Sequence, residues 1–238
     1  MSRVSVAGAS GYVGGELLRL LLAHPDLKLA TVAAGPSSAG RPVTEMHPHL
    51  PELADTTFAA PDPDALADAD LAFIALPAGE SAPLATELLS RGVRVVDLGA
   101  DHRLADSAAW QQWYGGQHPA PDAAWPYGLP ELPGTRAALA ETDRVAAPGC
   151  YATAVALALA PLVAAGLVDA ERIVVVAASG VSGAGRAAKP HLTASEVIGD
   201  VSAYRVGTHQ HTPEIEQTLS RLTTAKVRVS FTPLLVPM

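Results

Sequence analysis

Val4-Ser5-Val6-Ala7-Gly8-Ala9-Ser10-Gly11-Tyr12-Val13-Gly14-Gly15-Glu16-Leu17-Leu18 is the stretch from which the rest of the chain can be read. Val4 to Ala7 has the run of a short buried strand, Gly8 to Gly15 is a glycine loop, and Glu16 to Ala23 carries helical apolar spacing. Glycines at 8, 11 and 14, set between a strand and a helix, let the backbone turn tightly and approach a pyrophosphate. The helix start then offers free N–H groups and a partial positive charge. Gly8, Ser10, Gly11, Tyr12, Val13 and Gly14 are therefore candidate dinucleotide contacts.

Downstream, Leu27 to Ala34 reads as a second strand. It lacks the acid that binds a ribose 2′-hydroxyl at this point in NAD-selective sites. Ser37, Ser38 and Arg41 follow instead, and two hydroxyls with a guanidinium suit a 2′-phosphate, which points to NADP. The segment Pro36 to Pro51, rich in Pro, Gly, Ser and His, reads as a functional loop rather than an element. Leu71 to Leu76 is an apolar strand ending at Pro77, followed by an amphipathic helix from Glu80 to Arg91 and a strand from Val93 to Asp97. Arg144 to Ala147 is a further short strand, broken by Pro148-Gly149 before a long helix that begins near Cys150.

Buried strands alternating with helices imply an α/β fold with a parallel, doubly wound sheet of Rossmann type. The run Ala152 to Val168 contains Pro161 and Gly166 and is shorter than the roughly 20 residues of a membrane span, so it reads as a buried helix. Arg172 to Ala178 and Val227 to Thr232 read as later strands. A boundary near Ala147 divides the chain into residues 1–147, the cofactor domain, and 148–238, a second domain. The sequence stops at Pro237-Met238 directly after an apolar strand, so it reads as an abrupt end or a fragment.

The 238 residues, 49% hydrophobic and 17% charged, are those of a globular protein with room for a sizeable core. A formal net charge of −8 gives no basic footprint for nucleic acid or anionic lipid. The N-terminal stretch has no secretory pattern, and one cysteine forms no internal disulfide, so a reducing compartment, the cytoplasm, is expected.

Cys150 itself sits at a predicted helix start, where thiols can titrate at about 3.5–7.5. The competing reading is a small buried hydrophobe. Ser179-Gly180-Val181-Ser182-Gly183-Ala184-Gly185-Arg186 follows a strand and can either cradle an anion or be an ordinary turn. His209 and His211 lie before a helix that Thr212 can cap and Pro213 can open, and one of them suits a general acid/base. A zinc site is disfavoured because no third ligand has the right spacing. Arg103, after the strand ending at Asp97, is either a phosphate clamp or the salt-bridge partner of Asp97 or Asp101.

Seven stretches together resemble the N-acetyl-gamma-glutamyl-phosphate reductases, relatives of aspartate-semialdehyde dehydrogenase: GASGYVGGEL from Gly8, LPAGES from Leu76, DLGADHRL from Asp97, YGLPEL from Tyr127, APGCYATA from Ala147, SGVSGAGR from Ser179 and HQHTPEIEQ from His209. The resemblance implies a Rossmann domain followed by an α+β domain that carries the cysteine and builds a homo-oligomer, a dimer or tetramer. It implies that Cys150 attacks an acyl phosphate to form a thioester reduced by NADPH, with His209 as acid/base and His211 beside it. It also implies that Arg103, Ser179, Gly180 and Arg186 hold the substrate's anionic groups, and that Ser182 and Gly183 face the cofactor.

Ala78 and Ala147 depart from the family pattern, which usually has histidine and asparagine there. Family members also continue well past the stretch from Ser230, so a shortened chain with exposed apolar surface is expected. Aspartate-semialdehyde dehydrogenase, an aminoadipyl-phosphate reductase and a non-catalytic cofactor-binding module are the alternative functions.

Overall fold

The computed structural model describes residues 1–121 and 125–238. The chain forms two compact units: Met1–Arg103, Asp122–Gly128 and Ala137–Ala147 make the first; Leu104–Pro121, Leu129–Arg136 and Pro148–Met238 make the second.

In chain order the elements are β1 (Ser2–Ala7), α1 (Tyr12–Leu22), β2 (Leu27–Ala33), α2 (Val43–Met46), α3 (Pro63–Leu66), β3 (Leu71–Ile74), α4 (Ser81–Ser90), β4 (Arg94–Asp97), α5 (Ser107–Tyr114), α6 (Thr135–Ala140) and β5 (Arg144–Ala146). They continue as α7 (Cys150–Ala164), β6 (Ile173–Ser179), α8 (Ala194–Val197), β7 (Ser202–Ala203), α9 (His211–Ser220) and β8 (Val229–Leu235).

The first unit is a five-stranded sheet in the order β2-β1-β3-β4-β5, with every pair parallel. Both faces are buried, as the two-residue period of the strands requires. Val4 and Val6 of β1, with Leu71 and Phe73 of β3, point to one apolar cluster with Leu18, Leu21 and Phe58. Ala7, Ala72 and Ile74 point to the opposite one with Leu66, Leu88 and Trp125. β1 has β2 on one side and β3 on the other, so the sheet's switch point lies at the C-terminal end of β1, where such sheets bind ligands.

The second unit is built on a three-stranded mixed sheet, β6-β8-β7, in which β6 runs parallel and β7 antiparallel to β8. α7 and α9 pack against each other, and Tyr151 of α7 meets Phe231 of β8 at a ring distance of 5.0 Å. β6 is an edge strand that turns Val174 and Val176 outward, 73% and 64% exposed.

Three expectations are corrected. The loop Pro36 to Pro51 holds a one-turn helix, α2, because Val43 is fully buried and anchors it. The long helix begins at Cys150, as its sequence indicates, but the apolar run Ala152 to Val168 outlasts it: α7 ends at Ala164, before Gly166 at φ +67°. It is buried on one side only, through Tyr151, Ala152, Val155, Ala156, Ala160 and Val163, while Leu157 and Leu162 are exposed. Finally, α9 starts at His211, ahead of Thr212, for a reason given below. No helix among the described residues is long and apolar enough to cross a membrane.

Candidate active site

In the first unit, α1 begins at Tyr12 with Gly11 as its N-cap and no acidic residue in its first turn, so its terminal N–H groups are not offset by a nearby carboxylate. Gly8 has φ +79°, and a Cβ there would fall 2.2 Å from the carbonyl oxygen of Ala75, directly after β3. A Cβ on Gly14 would fall 2.6 Å from Ala9 Cα. At Gly11 the only close atom among the described residues is Gly8 O at 3.5 Å, which leaves the open backbone that a pyrophosphate needs. The loop therefore fits a dinucleotide. Arg41, after the turn holding Ser37 and Ser38, places Nε and Nη2 each 2.8 Å from Glu45 Oε2. Both side chains are about half exposed, so water and ions screen the pair.

After β4, two fully buried carboxylates organise the loop that carries Arg103. Asp97 accepts from Ser81 Oγ at 2.9 Å, from Gly99 N at 2.7 Å and from His102 Nδ1 at 2.6 Å. Asp101 accepts from the backbone N–H groups of Gly79, Ser81 and Ala82 at 2.6, 3.1 and 3.0 Å, and so caps α4. With both carboxylates occupied, Arg103 bonds carbonyls: Nε donates to Ala147 O at 2.8 Å and Nη2 to Leu98 O at 2.7 Å.

In the second unit, Cys150 is the first residue of α7 and is exposed. It lines a cavity of about 370 Å³ together with Ser179, Gly180, Gly183, His209 and His211. Lys189, His191 and Arg205 line the same cavity and bring to it nitrogen donors suited to an anionic substrate. Ser182 and Arg186 lie on the same loop but do not line the cavity. Arg205 has φ +45°, rare for a residue other than glycine, and Nη1 donates to Gln210 Oε1.

His209 is buried among the rings of Tyr151, Tyr204, His211 and Phe231, with centroids 4.8–5.7 Å from its own. Burial, then His211 and Arg205, pushes its pKa down to about 4, so it is neutral at pH 7. Its Nδ1 accepts the His211 backbone N–H at 3.1 Å and its carbonyl accepts that of Thr212 at 2.9 Å. His209 thus supplies the start of α9 that was expected from Thr212. The proline at 213 falls in the first turn, where its missing N–H costs nothing. Because Nδ1 is an acceptor, the ring proton sits on Nε2.

Glu214, fully buried on α9, accepts the Gly149 N–H at 2.8 Å. The His211 ring lies over Gly149, where a Cβ would fall 2.4 Å from Nε2. Tyr204 OH donates to Tyr151 OH at 3.1 Å, and Tyr151 OH to Ala177 O at 3.4 Å. Burial and the Tyr151 hydroxyl raise the Tyr204 pKa. Glu214, Tyr204, Lys189 and Arg205 are absent from the sequence-derived candidates. Spacing gave no signal for the tyrosine and the cations, whereas the acid in Thr-Pro-Glu stands one turn beyond the histidines. Among the described residues, no group of three or more His, Cys, Asp or Glu has the arrangement of a metal site.

Residues 3–141 match the semialdehyde dehydrogenase NAD binding domain, and residues 150–238 the semialdehyde dehydrogenase dimerisation domain. The chain is 59% identical over 238 residues to N-acetyl-gamma-glutamyl-phosphate reductase of Acidothermus cellulolyticus, covering 100% of this chain and 68% of that protein. It is 60% identical over 237 residues to the reductase of the same name from Frankia casuarinae, covering 99% and 67%. Among solved structures it resembles the aspartate semialdehyde dehydrogenase with NADP from Candida albicans, with TM-score 0.72 and 16% identity over 100% of this chain and 68% of that one. That likeness shows the fold alone: a parallel α/β unit followed by a mixed-sheet unit. With identity near 60% along its whole length, the chain belongs to the N-acetyl-gamma-glutamyl-phosphate reductase family.

Proposed function

We propose that this chain reduces N-acetyl-gamma-glutamyl phosphate to the semialdehyde with release of phosphate, a step of arginine biosynthesis, through a thioester on Cys150. The observation that carries this reading is that the Cys150 thiol and a neutral His209 bearing its proton on Nε2 line one cavity.

The Cys150 thiolate forms a carbon–sulfur bond to the acyl carbon, the carbon–oxygen bond to phosphate breaks, and phosphate leaves with the electron pair and takes up a proton. NADPH, when bound, supplies the hydride that reduces the thioester carbon. His209 donates a hydrogen bond from Nε2 to the oxyanion at that carbon in each tetrahedral species. Collapse of the hemithioacetal restores the thiolate and frees the aldehyde. His211, over Gly149, keeps the first turn of α7 in register with His209. Ser179, Gly180, Arg186 and Arg103 are proposed to hold the substrate's phosphate and carboxylate, and Ser182 and Gly183 to meet the cofactor.

NADP is preferred to NAD because β2 ends at Ala33 and is followed by Ala34, without an acid, and Ser37, Ser38 and Arg41 come next. A homo-oligomer is proposed from the match to a dimerisation domain, with the outward Val174 and Val176 of β6 as the apolar surface. A lone free thiol agrees with the cytoplasm.

The test follows NADPH formation from N-acetylglutamate semialdehyde, NADP and phosphate. The 238-residue protein is expected to show phosphate-dependent turnover, and Cys150→Ser to lose it by on the order of 10³-fold or more. A folded wild-type chain with no turnover, or a serine variant that retains it, overturns the reading.

A further inference from the structure

We propose that His47 is a positioning residue for the dinucleotide loop, tying the pyrophosphate end of the cofactor site to the segment that follows β2. His47 is 1% exposed, and its Nε2 lies 2.8 Å from the carbonyl oxygen of Ala9, between Gly8 and Gly11. A carbonyl only accepts, so Nε2 carries the hydrogen and donates. The ring occupies the space beside Gly15, where a Cβ would fall 2.3 Å from Cε1 and 2.5 Å from Nδ1. Gly15 is thus glycine to admit an imidazole, in a position where helix geometry alone would accept alanine.

The Ala9 peptide is fixed from both sides. Its N–H donates to Ala33 O at the end of β2 at 2.9 Å, and its carbonyl is held by His47. With that carbonyl turned inward, and the Gly11 N–H donating back to Gly8 O at 3.2 Å, the exposed helix start at Tyr12 and Val13 faces outward for phosphate oxygens. His47 is in turn held by the strap after Arg41. Gly40 N donates to Phe58 O at 2.8 Å, Phe58 N to Arg41 O at 2.9 Å, Val43 N to Thr56 O at 2.9 Å and His47 N to Val43 O at 2.9 Å. The strap that continues from the turn of Ser37, buried Ser38 and Arg41 thereby also sets the glycine loop. His47 touches no phosphate itself; it fixes the spacing between the two ends that do.

This inference rests on the reading of Gly8 to Gly14 as the dinucleotide loop, and the experiment separates the two. NADPH fluorescence is titrated with the whole 238-residue chain as wild type, His47→Phe, His47→Asn and His47→Gln, each beside a thermal melt without cofactor. Phenylalanine fills the space without a donor, asparagine keeps polarity but falls short of Ala9, and glutamine carries an amide donor at a reach similar to Nε2.

The expected result is an NADPH Kd about tenfold weaker in the Phe and Asn variants and close to wild type in the Gln variant. In turnover, the KM for NADPH should rise while the KM for the acyl phosphate stays unchanged, a split that a general loss of stability would not give. A Kd within about twofold of wild type in a folded Phe or Asn variant overturns the proposal while leaving the cofactor site intact. Should the Phe variant not fold, the Asn variant decides. A wild-type chain that binds no NADPH overturns the cofactor reading and this proposal together.

Discussion

His209 is kept neutral by the same burial that shapes it as a hydrogen-bond donor, and that has a thermodynamic cost which can be read as a pH profile. An unfolded histidine titrates near 6.5, whereas in the folded chain His209 titrates at about 4. Between those values the unfolded chain binds a proton that the folded chain refuses, so stability falls as the pH drops from 6.5 toward 4 and is indifferent to this group above that window. His209→Asn should lessen that fall, which thermal melts at stepped pH would reveal. Its activity should drop by roughly 10²–10³-fold, as for loss of an oxyanion hydrogen-bond donor. A variant melting profile as steep as wild type would remove His209 from the account. The histidine pair is legible in the sequence, because two imidazoles before a helix form a conspicuous pattern. The tautomer is not, since it depends on which backbone N–H reaches Nδ1. Glu214 escapes notice for a related reason: an acid in a helix is ordinarily solvated, and only the docking of α9 against Gly149 buries it.

At the scale of elements, the two helix starts that matter are held from outside their own sequence. α7 is capped at Gly149, whose N–H is taken by Glu214 and whose missing side chain makes room for His211. Gly149→Ala should therefore push the His211 ring from α7 and cost about 1–3 kcal/mol of stability, with a larger loss of turnover than of fold. A variant with wild-type melting temperature and turnover would contradict this. α4 is capped by Asp101, twenty residues downstream of its first helical residue. Asp101→Ala leaves the backbone donors of Gly79, Ser81 and Ala82 without that partner and should cost about 1–3 kcal/mol in a denaturant titration. Unchanged stability would mean that water replaces the carboxylate. Strand, turn and helix around Gly8 are legible because each obeys a local period. Long-range caps leave no local trace, and the two-residue strand β7 is too short for any period to mark it.

For the molecule as a whole, β6 presents Val174 and Val176 outward on an edge strand, a surface that water does not favour. If a second copy covers it, Val174→Lys with Val176→Lys should shift the protein to monomer in light scattering while its circular dichroism is retained. An unchanged mass would place the interface elsewhere. The second unit is also not one contiguous stretch: it recruits Leu104–Pro121 and Leu129–Arg136, and the Ala105 N–H reaches Gln217 Oε1 at 2.9 Å across 112 residues. A chimera that joins this chain to a relative at residue 147 would inherit Ala105 from one parent and Gln217 from the other. Such halves cannot be exchanged as independent cassettes. Recombination that preserves both parents' packing has to carry residues 104–121 along with the cysteine-bearing half.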